Sequence, residues 1–315
     1  MTIIQAERTK KTSIGGQAII EGILMRGPKK TSIVVRRKNG EFEKKIEDTY
    51  KNGAPGWYTK VPFLRGIFNM ASSLYMGYQA INFSASFFDD EEQEEPGRFE
   101  RWLREKCGDK FEDYLMTFSM VAGVGLAVLL FILLPTFLAG LVQEHFTSGV
   151  VKSLVEGGIR IAIFLLYLWG VSLMEDIRRV YMYHGAEHKT IACYEAGEEL
   201  TVENVRKYTR FHPRCGTSFL LIVMVVSILV FSFLTWSNVW VRMLLRLLLL
   251  PVVVGISYEA IKLAGRYDNF FTRMISAPGL WLQRLTTREP EDEMIEVAIE
   301  AMKDVIPEEE GMDEW

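Results

Sequence analysis

Two long uncharged runs constrain this chain more than any other feature. Leu115–Val142 contains 28 residues without a charged side chain, and Thr217–Val241 is a second uncharged run. The hydrocarbon core of a bilayer is about 30 Å thick and is crossed by a helix of about 20 apolar residues. Both runs are long enough. The N-terminal segment is polar and basic and has no cleavable leader pattern, so we predict an integral membrane protein inserted through internal spans.

Two weaker apolar segments complete a set of four spans. Gly157–Met174 is apolar except for Arg160, which lies one helical turn from Glu156 and can pair with it near the helix end. Val239–Ala264 carries arginines near its start, where long side chains can reach the headgroups. We therefore predict four transmembrane helices.

The distribution of lysine and arginine predicts the orientation of these spans. The connection Gln143–Lys152 holds one basic residue and Ser237-Asn238 holds none, whereas Glu175–Gly216 holds seven. Basic connections remain in the cytoplasm. The chain is thus predicted to be a multi-pass protein of the bacterial plasma (inner) membrane with both termini cytoplasmic.

Gly66–Phe88 is uncharged and is a candidate for a fifth span. Its apolar residues recur at helical spacing opposite a polar face, which favours an amphipathic helix lying in the membrane interface. A fifth span would also place the basic N-terminal segment outside, against the charge rule.

The remaining segments are predicted to be cytoplasmic. In a β-rich N-terminal unit, Asn39-Gly40 between Ser32–Lys38 and Glu41–Ile46 predicts a type I′ hairpin. The tail from Glu289 onward is acidic with one apolar helical face, which indicates either a helix docked on this protein or on a partner, or a solvated tail.

The predicted fold is therefore a mainly α membrane protein with about four transmembrane helices, one interfacial amphipathic helix and a small N-terminal β-rich cytoplasmic unit. We divide the chain into the β-rich unit (1–60), the interfacial helix with an acidic linker (61–114), spans 1 and 2 (115–174), a cytoplasmic His/Cys connection (175–216), spans 3 and 4 (217–265) and a C-terminal segment with an acidic amphipathic helix (266–315).

Cysteine usage and net charge exclude two kinds of protein. Cys107, Cys193 and Cys215 all fall in predicted cytoplasmic segments, where a disulfide framework is not expected. The net charge is −4 and no recognition motif is present, so a nucleic-acid partner is not expected.

The motif HGAEH is the strongest candidate for chemistry. The chain has only four histidines, and His184 and His188 lie four apart on one helical face with Glu187 between them. Two such histidines can hold one metal ion, with the glutamate acting as a base on bound water. The order H-x-x-E-H is the inverted form of the zinc metalloprotease signature.

A second pair, His212 and Cys215 in RFHPRCG, offers further zinc ligands. If all four side chains bind, the zinc site is closed and structural, whereas catalysis needs one position open for water. The alternative is that the histidines of HGAEH are ordinary surface residues on a juxtamembrane helix, paired with carboxylates.

Two further glutamates remain open at the level of sequence. Glu21 lies in the glycine-punctuated stretch GGQAIIEGILMRGP, whose glycines either make turns or bring Glu21 to the site. Glu259 lies near the cytoplasmic end of the fourth span, where it is either functional or paired with Lys262 or Arg266.

Six motifs in order resemble the YqhQ-type family of bacterial membrane proteins. They cover almost the whole chain: GGQAIIEGILMRGP, PFLRG, HGAEHKTI, RFHPRCGTSFL, SYEAIKLAGR and LTTREPEDEMIEVAI. That family is a domain of unknown function, often labelled a predicted metal-dependent enzyme. The resemblance therefore implies a family but no defined activity.

Two hypotheses of different classes follow. The first is a membrane-embedded zinc-dependent hydrolase, with zinc held by His184, His188 and either His212 or Cys215, and with Glu187 as general base. Its substrate would be a peptide segment or a lipid headgroup. The second is a membrane scaffold or biogenesis factor in which a structural zinc staples the cytoplasmic connection and the acidic helix binds a protein partner. A transporter is disfavoured, because the spans carry few polar groups and show no inverted repeat.

Overall fold

The computed structural model describes residues 11–50, 56–88, 106, 108, 111–142, 146, 148–233, 239–267, 269–309 and 311–314. Over these residues the chain is mainly helical, with one small antiparallel sheet near the N-terminus. Asp89–Glu95 of the predicted acidic linker, Cys107 and the connection Ser237-Asn238 lie outside the described residues.

Four strands are followed by a series of helices. The strands are β1 (Gly15–Ile19), β2 (Gly22–Arg26), β3 (Lys30–Arg36) and β4 (Phe42–Asp48). The helices are α1 (Leu64–Ala85), α2 (Phe111–Val128), α3 (Leu134–Val142), α4 (Gly149–Val171), α5 (Glu175–Glu195), α6 (Val202–Arg206), α7 (Gly216–Ser232), α8 (Val239–Arg266), α9 (Phe270–Thr286) and α10 (Asp292–Lys303). A π-helical segment, Leu129–Leu133, joins α2 to α3, and a short 3₁₀ turn, Trp57–Thr59, precedes α1.

The chain divides into two compact units. The sheet unit comprises Met1–Phe87, Leu168–Ser227 and Leu249–Trp315. The helical unit comprises Phe88–Tyr167 and Ile228–Leu248. The predicted metal ligands all belong to the sheet unit.

The predicted N-terminal β-rich unit is confirmed as a meander of four antiparallel strands in chain order. The predicted hairpin joins β3 to β4, but its turn is not type I′, which needs a positive φ at both central residues. Within this loop only Gly40 has a positive φ, of 87°. The Asn39 side-chain oxygen instead accepts a hydrogen bond from the Glu41 backbone N–H at 3.0 Å, a local bond that favours an Asx-type turn.

Helices α5 and α10 supply the core that covers the sheet. The buried apolar side chains of β2 and β3 meet those of α5 and α10. The acidic residues of α10 lie outside this core, and Glu300 forms an ion pair of 2.7 Å with Lys44 of β4. The acidic tail helix is therefore docked on this protein, and the alternative of a solvated tail is wrong.

Three of the described helical segments have the length and composition to cross a membrane. They are Thr117–Val142, Gly149–Val171 and Met243–Gly265, and no more than 28 % of each apolar window is buried inside the protein. Such extensive apolar exposure indicates a membrane protein. Helix α7, at the start of the third predicted span, is also apolar, but with 17 described residues it is not counted among these three.

Two arginines of the helical unit pair with one glutamate. Arg160 donates to Glu156 across one turn of α4 at 3.3 Å, as predicted. Glu156 also accepts a hydrogen bond of 2.8 Å from Arg246 of α8, and both side chains are buried. The expectation that the arginines at the start of α8 extend to the headgroups is therefore wrong for Arg246. A hydrogen-bonded ion pair with a buried carboxylate stabilises the Arg246 guanidinium better than an extended side chain that reaches the headgroups would.

Helix α1 has two faces, as predicted, and among the described helices it is not apolar enough to be counted with the three candidate spans. Its small and polar residues pack on the sheet unit, where Asn69 donates to the Tyr258 hydroxyl at 2.8 Å. Large apolar residues, including Leu74 (65 % exposed), point away from the protein.

Candidate metal centre

Helix α5 carries HGAEH, and the small residues of the motif allow a neighbouring segment to approach closely. Gly185 and Ala186 are both buried. A Cβ at Gly185 would overlap the backbone carbonyl oxygen of Arg288. The Arg288 N–H in turn donates to the Tyr181 carbonyl at 2.8 Å. The segment after α9 is thereby fixed along α5 beside the two histidines.

Three of the four predicted ligands converge on one point. The potential ligand atoms of His184, His188 and Cys215 all lie within 4.8 Å of one another. His184 Nε2 is 3.2 Å from Cys215 Sγ. In a tetrahedral zinc site with N and S ligands, neighbouring ligand atoms are about 3.4–3.6 Å apart, so small side-chain movements would complete such a site. The donor set therefore fits zinc.

Backbone carbonyls orient both imidazoles. His184 Nδ1 is 2.8 Å from the carbonyl oxygen of Thr286, and His188 Nδ1 is 2.6 Å from that of Arg210. A carbonyl oxygen only accepts, so each Nδ1 carries a proton, which leaves Nε2 as the nitrogen through which each imidazole would bind a metal. Thr286 is the last residue of α9, where the carbonyl lacks an intrahelical partner and is free to accept this bond.

Cys215 is placed to act as a thiolate ligand. It precedes α7, and its sulfur accepts a hydrogen bond from the Thr217 backbone N–H at 3.4 Å. Burial alone would raise the pKa of Cys215, but the neighbouring His188 and His184 lower that pKa well below its usual range. In return, although burial opposes the imidazolium, the Cys215 sulfur raises the pKa of His184 to about 9. Positive charge is thus stabilised beside the sulfur, as a metal cation requires.

Glu187 is buried beside the ligand group. Burial raises the pKa of its carboxyl, partly offset by the charges of His188 and His184. Its Oε1 accepts a hydrogen bond from the Gly16 backbone N–H at 2.9 Å. A Cβ at Gly16 would lie 2.5 Å from the Leu24 carbonyl oxygen and 3.1 Å from the Glu187 carboxyl carbon. Only glycine therefore lets β1 lie this close to the carboxylate.

His212, the fourth predicted ligand, lies next to the group but outside it. Its ring centroid is 5.6 Å from that of His188, and its Nε2 is 3.6 Å from Glu195 Oε2. Burial lowers the pKa of His212 to about 4. Burial opposes the Glu195 carboxylate, but its contact with His212 and the charge of Arg214 hold its pKa at about 2. His212 therefore faces a permanently charged carboxylate.

Helix α9 fixes the backbone of His212. The Gln283 side chain accepts from the His212 N–H at 2.8 Å and donates to the His212 carbonyl at 2.7 Å. Both side-chain atoms of this amide are thus engaged by one residue, and Gln283 is fully buried. The loop that carries His212 and Cys215 is held to α9 by this pair of bonds.

Neither of the two further glutamates enters the ligand group. Glu21 lies in the turn between β1 and β2 with a φ of 47°, and it accepts hydrogen bonds from Arg179 and Tyr183. Glu259 forms a bidentate ion pair with Arg65 of the PFLRG motif. The sequence predicted Lys262 or Arg266 as the partner of Glu259, whereas the hydrogen-bonded ion pair is with Arg65, 194 positions away.

Four residues around the centre were not singled out from the sequence. Gly16 lies in the glycine-punctuated motif that contains Glu21. The closely spaced glycines were the sequence feature that could have identified it. Glu195 and Gln283 are polar residues whose burial depends on the tertiary fold. Thr286 contributes a backbone carbonyl, for which no side-chain signal exists.

Comparisons with known proteins give a family but no activity. Residues 61–308 match the family described as "Protein of unknown function (DUF1385)". The chain is 34 % identical over 298 residues to "Uncharacterized protein YqhQ" of Bacillus subtilis (strain 168), covering 93 % of this chain and 92 % of the relative. No solved structure matches the chain.

Proposed function

The chain belongs to the YqhQ-type family, DUF1385, and from the geometry of its candidate metal centre we propose that it is a zinc-dependent hydrolase acting at a membrane face. One observation carries the proposal. His184, His188 and Cys215 converge within 4.8 Å, and a buried glutamate, Glu187, lies beside them. Three protein ligands and an adjacent carboxylate are the donor set of a catalytic zinc site.

The residues divide the chemistry among themselves. His184, His188 and Cys215 would hold the zinc, which when bound would supply a nucleophile near neutral pH by lowering the pKa of a bound water to about 7. Glu187 would accept a proton at the site as general base and later deliver it to the leaving group. The Gly16 N–H holds the carboxylate in place during these transfers.

The proposed topology has four spans, with α7 and the residues that follow it forming the third. Both termini and the metal centre then lie in the cytoplasm, at the inner face of the plasma membrane. The excess of lysine and arginine in 175–216 supports this orientation. At that depth the substrate is a peptide segment near the membrane or a lipid headgroup.

Metal content is the first test of the proposal. Protein purified in detergent is analysed by elemental mass spectrometry as wild type, His184→Ala and Glu187→Gln. We expect about one zinc per chain in the wild type, loss of zinc in His184→Ala and retention in Glu187→Gln, because Glu187 is not a ligand. Absence of zinc from all samples, after zinc is supplied during growth, would contradict the proposal.

A structural zinc in a scaffold protein is the second candidate, and the position of His212 favours it. With its ring 5.6 Å from that of His188, His212 is near enough to become a fourth ligand after a side-chain rotation. Zinc would then be four-coordinate and closed. His212→Ala distinguishes the two candidates: an open catalytic site keeps its zinc, whereas a closed site binds zinc more weakly.

A further inference from the structure

Helix α9 presents an apolar face whose large side chains are exposed. Phe270, Met274, Ala277 and Trp281 follow one another at i, i+4, i+7 and i+11, so they share one side of the helix. Phe270 is 75 % exposed, Met274 57 % and Trp281 51 %. Large apolar side chains aligned in this way, rather than scattered, mark an interaction surface.

The opposite face of α9 is fixed to the metal centre. Gln283 and Thr286 bind His212 and His184 through the hydrogen bonds described above. A Cβ at Gly279 would overlap the Ser218 side chain, so α9 packs directly against the start of α7. The helix cannot roll to bury its apolar face without breaking these contacts.

The position of α9 in the chain places it at the end of a candidate span. The span Met243–Gly265 lies within α8, which ends at Arg266, and α9 begins at Phe270. Four steps of extended chain reach about 14 Å at most. The first turn of α9, capped by Asn269, therefore starts within that distance of the end of the span.

The charge of α9 matches an anionic surface. The helix contains Arg273 and Arg284 and no acidic residue. Both arginines are exposed, and at about 100° per residue they lie along one edge of the apolar face. An apolar face bordered by arginines is typical of helices that lie on membranes with acidic lipids.

We propose that α9 lies in the bilayer interface beside the end of α8. Its apolar side chains enter the acyl boundary, and its arginines bind the phosphates of acidic lipids. Because its other face holds His184 and His212, the metal centre lies within about one helix diameter, roughly 10 Å, of the headgroups. The bilayer contact depends on the fold alone. The corollary, that the substrate is a bilayer-resident molecule reached from the headgroup level, rests on the proposed function.

Spin labels test the bilayer contact directly. Cys107→Ser provides the background, because Cys193 and Cys215 are buried. Labels are placed by Met274→Cys and Ala277→Cys, with Glu308→Cys as the exposed reference, and the full chain is reconstituted in phosphatidylcholine vesicles with and without phosphatidylglycerol. We expect collisions with oxygen to exceed those with a water-soluble nickel complex at 274 and 277, and the reverse at 308.

Two results would overturn the bilayer contact. Labels at 274 and 277 that behave like the label at 308 would show a face exposed to water. Dipolar broadening between labels of two molecules would show that a second copy of the chain covers the face. Replacing both arginines (Arg273→Gln with Arg284→Gln) is expected to remove the deeper immersion that phosphatidylglycerol produces, and an unchanged response to phosphatidylglycerol would contradict the role of acidic lipids.

A separate measurement tests the link to the metal centre. The rate of zinc loss to a chelator is compared between Trp281→Glu and the conservative control Trp281→Phe. A charge in the acyl boundary strains the attachment of α9, so we expect several-fold faster loss only in the glutamate variant. Equal rates would refute the link. Absence of zinc from the wild type would count against the proposed function and leave the spin-label result intact.

Discussion

At Gly16, the backbone of β1 reaches the carboxylate of Glu187 and fixes it beside the ligand group. The hydrogen bond of 2.9 Å between Gly16 N–H and Glu187 depends on a contact that no side chain permits. The neighbouring Gly15 is different, since a Cβ there would meet no atom within 4 Å. Two adjacent glycines thus have separable roles, and one substitution at each distinguishes them.

Gly16→Ala is expected to lower the free energy of unfolding by about 1–3 kcal/mol, the usual cost of overpacking a close contact. Chemical unfolding in detergent, followed by circular dichroism, measures the change. Gly15→Ala is the matched control and should leave stability unchanged or slightly raised. Equal changes in the free energy of unfolding at the two positions would show that the close approach of β1 to Glu187 does not require glycine at position 16.

The lowered pKa of Glu195 predicts that the free energy of unfolding depends on pH in the acid range. The pKa of its carboxyl is lowered to about 2 in the folded protein, from an ordinary value of 4.5. The stabilisation is therefore complete above pH 4.5 and is lost as the pH falls towards 2, with a total of about 3 kcal/mol. Glu195→Gln should lower stability at neutral pH, and its deficit against wild type should shrink over that pH window. A deficit independent of pH would refute the assignment.

The residues of the centre also show how far the sequence predicts a site. His184, Glu187 and His188 lie on one turn of a helix, so their proximity follows from spacing alone. The ion pair of Glu259 with Arg65 joins residues 194 positions apart, which local spacing cannot reveal. The orienting carbonyl of Thr286 is a backbone group, and its position follows from where α9 ends.

At the scale of elements, α4 and α8 are joined within the helical unit by one buried carboxylate. Glu156 accepts from Arg246, and the Thr136 hydroxyl of α3 also donates to it at 2.8 Å. Each helix was predicted as a span from its apolar residues, and the charged residues were expected near the helix ends. The structure shows instead that they specify which helices pair, because a guanidinium in this setting must find a carboxylate.

Glu156→Gln is expected to destabilise the helical unit by about 3–5 kcal/mol, because it leaves the buried Arg246 without its counter-charge. Unfolding by sodium dodecyl sulfate in mixed micelles measures the loss. The double variant with Arg246→Met removes both charges and should recover part of the stability. If the double variant is as unstable as the sum of the single variants, the two side chains do not act as a pair.

At the scale of the whole molecule, the C-terminal helix α10 completes the core that supports the candidate metal centre. Met294, Ile295 and Met302 are fully buried against α5 and the sheet. The sequence alone did not establish that α10 packs in the core, because the acidic composition of the tail is also compatible with a solvated helix. The apolar face was visible in the sequence, but its partner surface, formed by strands β2 and β3 more than 250 residues earlier, was not.

Ile295→Ala is expected to lower the free energy of unfolding by about 2–5 kcal/mol, as truncation of a fully buried aliphatic side chain does. The change is measured by thermal and chemical unfolding of the purified protein. Glu296→Ala on the same helix is the control, since Glu296 is exposed and its loss should cost less than about 0.5 kcal/mol. Similar losses for both variants would mean that α10 is not part of the core.

The meeting of the first and last described segments sets an order of assembly. Thr12 donates to Asp313 at 2.6 Å across 301 positions, and its N–H donates to Glu195. During synthesis the N-terminal strands therefore remain without their covering helix while the candidate spans are made. The sheet can pack against α10 only after residue 303 has been synthesised. The candidate metal centre is consequently among the last parts of the protein to form, so the hydrolysis that we propose would begin only after the chain has entered its membrane.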